Sequence, residues 1–100
     1  MELTNYQNRI IDIVCETLEM SRDRLFARTR LSDIVFARQV AFKVLYFNTE
    51  LSLVKIGKLF GFNHDNVLMG MRSLHDKIDT DKQCEELFVM VQNKIDKIDE

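Results

Sequence analysis

Proline is absent from this 100-residue chain, and glycine occurs only three times. Both residues punctuate strand-and-turn folds, so their scarcity favours long helices with short connections. No run of about 20 apolar residues occurs, which argues against a membrane-spanning helix. Residues 1–5 also lack the basic-then-apolar layout of a secretion signal. We therefore expect one all-α domain over residues 1–100, located in the cytoplasm.

Cysteine and histidine are equally sparse, with two of each. Cys15 and Cys84 lie far apart within helical patterns, so we expect two small buried hydrophobic side chains, with a disulfide as the alternative. His64 and His75 lack a cysteine or carboxylate cluster at zinc spacing, so no metal site is predicted. No paired-carboxylate pocket, catalytic Ser/His or Cys/His pattern or phosphate-binding loop occurs. We expect neither an enzyme nor a bound cofactor.

The net charge is −2, but the charges are unevenly distributed. Residues 22–43 contain six cations and two anions, whereas residues 79–100 contain three cations and seven anions. This asymmetry predicts a cationic face, suited to nucleic acid, opposite an anionic face formed by the last helix. A solvated charged surface without a partner is the alternative explanation.

Hydrophobic spacing predicts a compact bundle of five to six helices. The expected segments are a helix over 5–18, a short helical turn over 21–26, helices over 32–48, 53–60 and 63–78, and a final helix from about residue 80. Ser52 is a suitable N-cap for the helix over 53–60. Thr80 and Gln83 match a capping box for the final helix.

The helix over 32–48 has the broadest apolar pattern in the chain. Its residues expected to face the core are Ala37, Val40, Ala41, Val44, Leu45 and Phe47. Arg38 and Gln39 fall outside this face. Met71, in the helix over 63–78, is expected to fill the core.

Residues 53–68 have the pattern of a helix-turn-helix, with a short amphipathic helix, a glycine-containing turn and a second helix. Gly61 stands where the chain must turn sharply, because glycine adopts a left-handed conformation without steric cost. Asn63 or Asp65 can cap the second helix. In a DNA-binding helix-turn-helix, that second helix enters the major groove.

Three landmarks follow one another along the chain. The first is a basic loop at 28–30, followed by the sequence Ala-Arg-Gln at 37–39. The second is Ser-Leu-x-x-Ile-Gly-x-x-Phe-Gly at 52–61, and the third is His-x-x-Val-Leu at 64–68, with Arg72 one turn beyond. Over most of its length the chain therefore resembles the C-terminal DNA-binding domain of the bacterial chromosomal replication initiator DnaA, whose fold is related to that of the Trp repressor.

This resemblance implies binding of double-stranded DNA through two separate elements. It implies that Arg30 enters the minor groove and that Arg38 and Gln39 contact the DNA backbone or base edges. It also implies that His64 belongs to the surface that reads the major groove. The residues predicted to contact DNA are Arg28, Arg30, Arg38, Gln39, Asn63, His64, Asp65, Asn66, Met69 and Arg72.

The chain departs from the family pattern around the second helix of the motif. Between Gly61 and His64 it is one residue shorter than the usual form. Asp65 and Asn66 replace two hydroxyl residues, and Met69 replaces a second histidine. Asp65 repels phosphate but can accept a hydrogen bond from cytosine N4, whereas Asn66 can read adenine with two hydrogen bonds. These departures argue against the family's own binding site as the target.

The absence of a Gly-x-x-x-x-Gly-Lys-Ser/Thr segment implies that the initiator's ATPase is missing. The resemblance then suggests an accessory regulator of replication initiation or transcription in a bacterium. The rival interpretation is a helical protein-interaction module that keeps the fold but has lost DNA binding. Such a module would bind another protein through the acidic last helix or through a surface formed by Phe62 and Met69. The sequence does not predict an oligomeric state.

Overall fold

The computed structural model describes residues 2–98, and all regular secondary structure in this range is helical. The helices are α1 (Asn5–Thr17), α2 (Arg22–Leu25), α3 (Ser32–Asn48), α4 (Leu53–Phe60), α5 (His64–Thr80) and α6 (Lys82–Asp96). The predicted all-α bundle with short connections is confirmed. None of these helices is long and apolar enough to cross a lipid bilayer.

Polar side chains define where the helices begin. At α1, Thr4 and Gln7 form a capping box in which each backbone N–H donates to the other's side-chain oxygen over 3.0 Å. The predicted cap of α4 is confirmed, because Ser52 Oγ accepts from the Lys55 N–H over 3.2 Å. These bonds satisfy N–H groups that have no partner within their own helix.

The start of α6 differs from the prediction. Thr80 ends α5, and its hydroxyl donates to the carbonyl oxygen of Asp76 over 2.7 Å. Asp81 accepts from the Gln83 and Cys84 N–H groups over 2.9 and 3.3 Å. A carboxylate is favourable at the positive end of the helix dipole, whereas the Thr80 hydroxyl already has a partner in the preceding turn. The predicted Thr80–Gln83 capping box is therefore wrong.

Helix α3 lies at the centre of the fold, where it packs against α1, α2, α4 and α5. Helix α6 completes the bundle by packing against α1 and α5. Fully buried side chains of the core include Ile10, Val14, Val40, Val44, Leu45, Ile56, Val67, Leu74 and Val91. Burying a large aliphatic side chain contributes about 1.5–3 kcal/mol, so this shared core holds the helices together.

The set of α3 residues that are buried differs from the apolar face predicted for this helix. Phe47 is 66% exposed, although its spacing predicted a core position, and Phe42 is buried instead. Arg38 and Gln39 were predicted outside this face, yet each is only 8% exposed. Four helices cover α3, so its buried surface extends well beyond one stripe and helical spacing cannot define it. The positions predicted for Phe47, Arg38 and Gln39 were wrong, whereas Met71 packs against the core as predicted.

Helices α4 and α5 form the predicted helix-turn-helix. Gly61 has φ of 82°, in the left-handed region, and Asn63 caps α5 by accepting from the Asn66 N–H over 2.9 Å. The turn closes where the Phe62 N–H donates to the Gly57 carbonyl oxygen over 2.8 Å. A Cβ atom at Gly57 would lie 2.4 Å from the Phe62 carbonyl oxygen. The motif therefore needs glycine at two positions, of which the sequence indicated only Gly61.

Both cysteines are free thiols, so the disulfide alternative is not formed. Cys15 is buried, as predicted, and Cys84 is half-buried. Burial raises the pKa of the Cys15 thiol. Because a thiolate is the reactive form, this environment makes Cys15 less reactive.

Candidate nucleic-acid interface

The predicted basic loop at 28–30 is part of the connection between α2 and α3, residues 26–31, and the name is used for this whole connection below. Arg38 holds the basic loop from the side of the core. This arginine donates through one terminal nitrogen to the carbonyl oxygens of Ala27 and Thr29 over 2.8 and 3.0 Å. Burial, followed by the charge of Arg28, lowers the pKa of Arg38. Its Nε atom is buried without a hydrogen-bond partner among the residues described. Arg38 therefore supports the backbone of the basic loop from inside the fold.

Arg28 joins the basic loop to the turn of the helix-turn-helix. Its guanidinium donates to the carbonyl oxygen of Gly61 over 2.8 Å. The guanidinium carbon of Arg28 lies 5.4 Å from the centre of the Phe62 ring, and that of Arg38 lies 5.1 Å from it. Both distances are within the range of a cation–π interaction. We call Arg28, Arg38 and Phe62 the guanidinium clamp.

Arg30 differs from the two arginines of the guanidinium clamp. Its side chain is exposed, and it forms no hydrogen bond or ion pair with any residue in the range 2–98. Its neighbour Thr29 is fixed, because the Thr29 carbonyl accepts from Arg38 and the Thr29 hydroxyl accepts from the Leu31 N–H over 3.3 Å. A fixed backbone thus carries a free cationic side chain, which can reach an anionic partner without breaking a contact.

The first turn of α5 presents several polar side chains to solvent. Asn63 is partly engaged, because its side-chain oxygen caps the helix. His64 Nε2 lies 3.3 Å from Asp65 Oδ1, and both side chains are exposed. The Asn66 side chain is exposed beside them. Two further exposed residues, Met69 and Arg72, continue this face along the next turns of the helix.

Gln39 lies behind this surface, between α3 and α5. Its side-chain oxygen accepts from the Lys77 ammonium over 2.8 Å. Together with Arg38, Phe62 and Asn66 it lines a cavity of about 170 Å³. The structure therefore gathers Arg38, Gln39 and Asn66 around Phe62, with Arg28 on the same ring. Met69 and Arg72 do not line this cavity.

Two residues of this site were not among the predicted contacts. Lys77 carries no sequence signal beyond a charge near the end of a helix. Phe62 was considered as part of an exposed protein-binding surface, but it is half-buried and packs against the core, with its ring 6.3 Å from that of Phe42. An aromatic residue inside a tight turn between two helices is the signal that could have indicated its packing role.

The other cations of the basic half have partners within the protein. Arg22 pairs with Asp12 over 3.0 Å and joins α2 to α1. Arg24 lies 3.5 Å from Asp33 in an exposed ion pair. Lys43 contacts the aromatic ring of Phe88 on α6, at 5.3 Å from its centre. The predicted cationic face is therefore narrower than the charge count suggested and is centred on the basic loop.

No metal site is apparent among residues 2–98, because no group of three or more His, Cys, Asp or Glu side chains is placed to hold an ion.

A family model described as the bacterial DnaA protein helix-turn-helix matches residues 7–74. The chain belongs to this family. The matched range contains the basic loop, the guanidinium clamp and every predicted contact residue. The resemblance inferred from the three sequence landmarks is thus confirmed.

Individual relatives agree with this assignment, and all three compared are chromosomal replication initiator proteins DnaA. The protein from Leptospira biflexa is 27% identical over 86 residues, which are 86% of this chain and 20% of the relative. The protein from Chloroflexus aggregans is 34% identical over 87 residues, covering 86% of this chain and 18% of the relative. The protein from a Synechococcus strain is 45% identical over 60 residues, which are 59% of this chain and 13% of the relative. The chain spans about a fifth or less of the length of these relatives.

Proposed function

We propose that this chain binds double-stranded DNA, with the basic loop at the minor groove and the first turn of α5 in the adjacent major groove. The observation that carries this proposal is the 2.8 Å hydrogen bond from Arg28 to the Gly61 carbonyl oxygen. It joins the basic loop directly to the turn that precedes α5. Two elements that enter neighbouring grooves must keep a fixed separation, and preorganisation of this kind lowers the cost of binding.

Arg30 is the residue proposed to enter the minor groove. Narrow, A·T-rich minor grooves concentrate negative potential and attract an inserted guanidinium. Its exposed side chain has no competing partner among residues 2–98. Arg38 and Gln39 are proposed to act mainly from behind the interface, because both are largely buried and hydrogen-bonded within the protein.

The exposed face of α5 is proposed to read bases. Asn66 can donate to and accept from adenine, and Asp65 can accept from cytosine N4. Met69, which is 64% exposed, suits an apolar contact with the methyl group of thymine. Arg72 lies one turn further along and suits guanine or a phosphate. We expect His64, which pairs with Asp65, to orient that carboxylate as well as contact DNA.

The biological role proposed is that of an accessory regulator of replication initiation or transcription in the bacterial cytoplasm, without ATPase activity of its own. Membership of the DnaA helix-turn-helix family supports the replication context. The family model that matches describes a helix-turn-helix, which supports a role in binding rather than in ATP hydrolysis. We further propose that residues 1–100 act as one domain.

A protein-interaction module is the second candidate, and the exposed aromatic side chains of α3 favour it. Phe47 is 66% exposed, and Tyr46 lies edge-on to it with ring centres 5.1 Å apart. Exposed aromatic groups of this kind are common in protein–protein interfaces. Asp65 and Asp76 on the exposed face of α5 would also favour a cationic protein over DNA.

A salt titration of binding to a random-sequence duplex separates the two candidates. Each phosphate that the protein neutralises should contribute about −0.9 to the slope of log K against the logarithm of the salt concentration. DNA binding predicts a slope of several units, and a selection from a random duplex library should then enrich a defined site. Absence of any salt-dependent duplex binding would contradict the DNA proposal and favour the protein partner.

A further inference from the structure

Phe62 lies where the two clamp arginines meet the turn of the helix-turn-helix. Its backbone N–H closes the turn by donating to Gly57. Its ring packs edge-on against Phe42 of the core and lies within 5.5 Å of both clamp guanidinium groups, at 5.4 and 5.1 Å. One side chain therefore contacts the core and both arginines that fix the loop.

We propose that Phe62 is a positioning residue that couples the basic loop to α5, so that Arg30 and the first turn of α5 engage DNA as one rigid unit. This inference rests on the proposed function. Phe62 itself does not contact DNA in this proposal. Its role is to control where Arg30 lies.

The electrostatics of the guanidinium clamp explain why the ring matters. Arg28 and Arg38 carry like charges close together, which by itself would drive the loop away from α3. The negative face of an aromatic ring attracts a guanidinium, and most strongly where water is partly excluded. Arg38 is buried and holds the Ala27 and Thr29 carbonyl oxygens, so attraction of Arg38 to the ring is transmitted to the loop backbone. Two other contacts join the loop to the helix-turn-helix: the hydrogen bond from exposed Arg28 to Gly61, and Phe26, whose ring stacks on that of Phe60 in α4 with centres 4.5 Å apart. Neither of them involves Arg38, which reaches the helix-turn-helix through the Phe62 ring.

The competing explanation is that Phe62 only fills space, and a matched pair of substitutions separates the two. Phe62→Leu keeps an apolar side chain but removes the aromatic face. Phe62→Tyr keeps the face and adds one hydroxyl. Melting curves of both variants should first establish that each is folded. Space filling predicts that leucine, which is smaller, destabilises the whole fold and accelerates core and loop amides alike, whereas coupling predicts that leucine accelerates the loop amides selectively.

Amide hydrogen exchange tests the coupling without DNA. The Thr29 N–H donates to the Ala27 carbonyl oxygen over 3.0 Å, and the Leu31 N–H donates to the Thr29 hydroxyl. Phe62→Leu should accelerate exchange across the basic loop by about two- to thirty-fold, the range for losing one or two cation–π contacts. Buried core amides should be accelerated much less than the loop amides, and Phe62→Tyr should match the wild type.

Arg28→Met provides a second variant at an exposed position, in case Phe62→Leu does not fold. It removes one guanidinium from the ring and the bond to Gly61, and it should accelerate the same amides. Unchanged loop exchange in the folded Phe62→Leu variant, or in Arg28→Met if leucine is not tolerated, would overturn the coupling whether or not the protein binds DNA.

A double-mutant cycle with a selected duplex completes the test. Measured by fluorescence anisotropy, Arg30→Ala should weaken binding of the wild type and of Phe62→Tyr by the same factor. In the Phe62→Leu background that factor should shrink toward one, because Arg30 is no longer held in place. Equal factors in all three backgrounds would overturn the coupling. Failure of the wild type to bind any duplex would instead overturn the proposed function and leave the exchange result to decide the role of Phe62.

Discussion

The Lys77 ammonium donates to Gln39 Oε1 over 2.8 Å, which ties α5 to α3 behind the candidate interface. An ammonium group donates hydrogen bonds but cannot accept them. The oxygen of the Gln39 amide must therefore face Lys77, and its NH₂ group must face elsewhere. Gln39 is only 8% exposed. A single lysine therefore fixes the orientation of a buried amide that lines the same cavity as Arg38 and Asn66.

Lys77→Met should destabilise the protein. Methionine preserves the apolar stem but leaves the largely buried Gln39 oxygen without its donor, which costs about 1–3 kcal/mol. Urea denaturation would give the free energy of unfolding of each variant. Lys82→Met is the matched control, because Lys82 is exposed and its ion pair with Glu85 at 3.5 Å contributes less than about 1 kcal/mol. Equal losses in the two variants would show that Lys77 has no special structural role.

Gly57→Ala should destabilise the protein although alanine is the better helix former. A Cβ atom at this position would lie 2.4 Å from the Phe62 carbonyl oxygen, and backbone cannot move aside as a side chain can. Crowding of this kind costs roughly 1–3 kcal/mol. The better helix propensity of alanine returns about 1 kcal/mol, so the net change is destabilising wherever the crowding exceeds the lower end of that range.

Thermal denaturation of Gly57→Ala and of a control on the same helix would test this. Lys55→Ala changes an exposed residue of α4 and should stay within about 0.5 kcal/mol of the wild type. A Gly57→Ala variant as stable as the wild type would show that the turn can open without cost.

Local signals were sufficient to predict the helices and the helix-turn-helix. Ser52 at the start of α4 and Gly61 in the turn act on their immediate neighbours, and both roles are visible in a few residues of sequence. The capping prediction failed only at Thr80, which ends α5, so that the next residue, Asp81, caps α6 instead. The exact end of the preceding helix decided the cap, and a few residues of sequence do not define that end.

Roles that depend on distant contacts were not predictable in the same way. The Arg28–Gly61 bond spans 33 positions and the Gln39–Lys77 bond spans 38, so neither partner can be inferred from spacing. For the same reason Arg38 was predicted on the surface, although it lies beneath the basic loop. The resemblance pointed to Arg38 and Gln39, but only the packing shows that both lie largely buried beneath the surface.

Asn66→Ala should affect binding in a base-dependent manner. If Asn66 reads adenine with two hydrogen bonds, its loss should cost about 1–3 kcal/mol on the preferred duplex and little on a duplex changed at that base pair. Folding should be preserved, because the Asn66 backbone N–H, which donates to the capping oxygen of Asn63, is retained in alanine.

Fluorescence anisotropy on the selected duplex and on four single-base variants would measure this. Lys58→Ala is a useful comparison, because Lys58 is exposed on α4. Loss of a lysine that contacts only phosphate would weaken binding to every duplex by the same factor. A uniform loss for Asn66→Ala across all duplexes would contradict its assignment to base reading.

Arg30→Ala tests the proposed minor-groove contact. The side chain is exposed and unpaired among residues 2–98, so its removal should change stability by less than about 0.5 kcal/mol. Affinity for the duplex should fall by roughly 1–3 kcal/mol, the range for losing a good groove contact. If one phosphate contact is lost with it, the salt slope should become shallower by about one unit.

The control for Arg30 is Arg9→Ala, which removes the same charge from α1. Arg9 is exposed, pairs with Glu16 over 3.4 Å and lies on a helix that packs against α3 and α6, away from the turn of the helix-turn-helix. Its loss should leave the salt slope nearly unchanged, because a cation remote from DNA releases no counterions on binding. Anisotropy at several salt concentrations gives affinity and slope for both variants. Equal effects of Arg9→Ala and Arg30→Ala would indicate attraction by overall charge, and would remove the reason to place Arg30 in a groove.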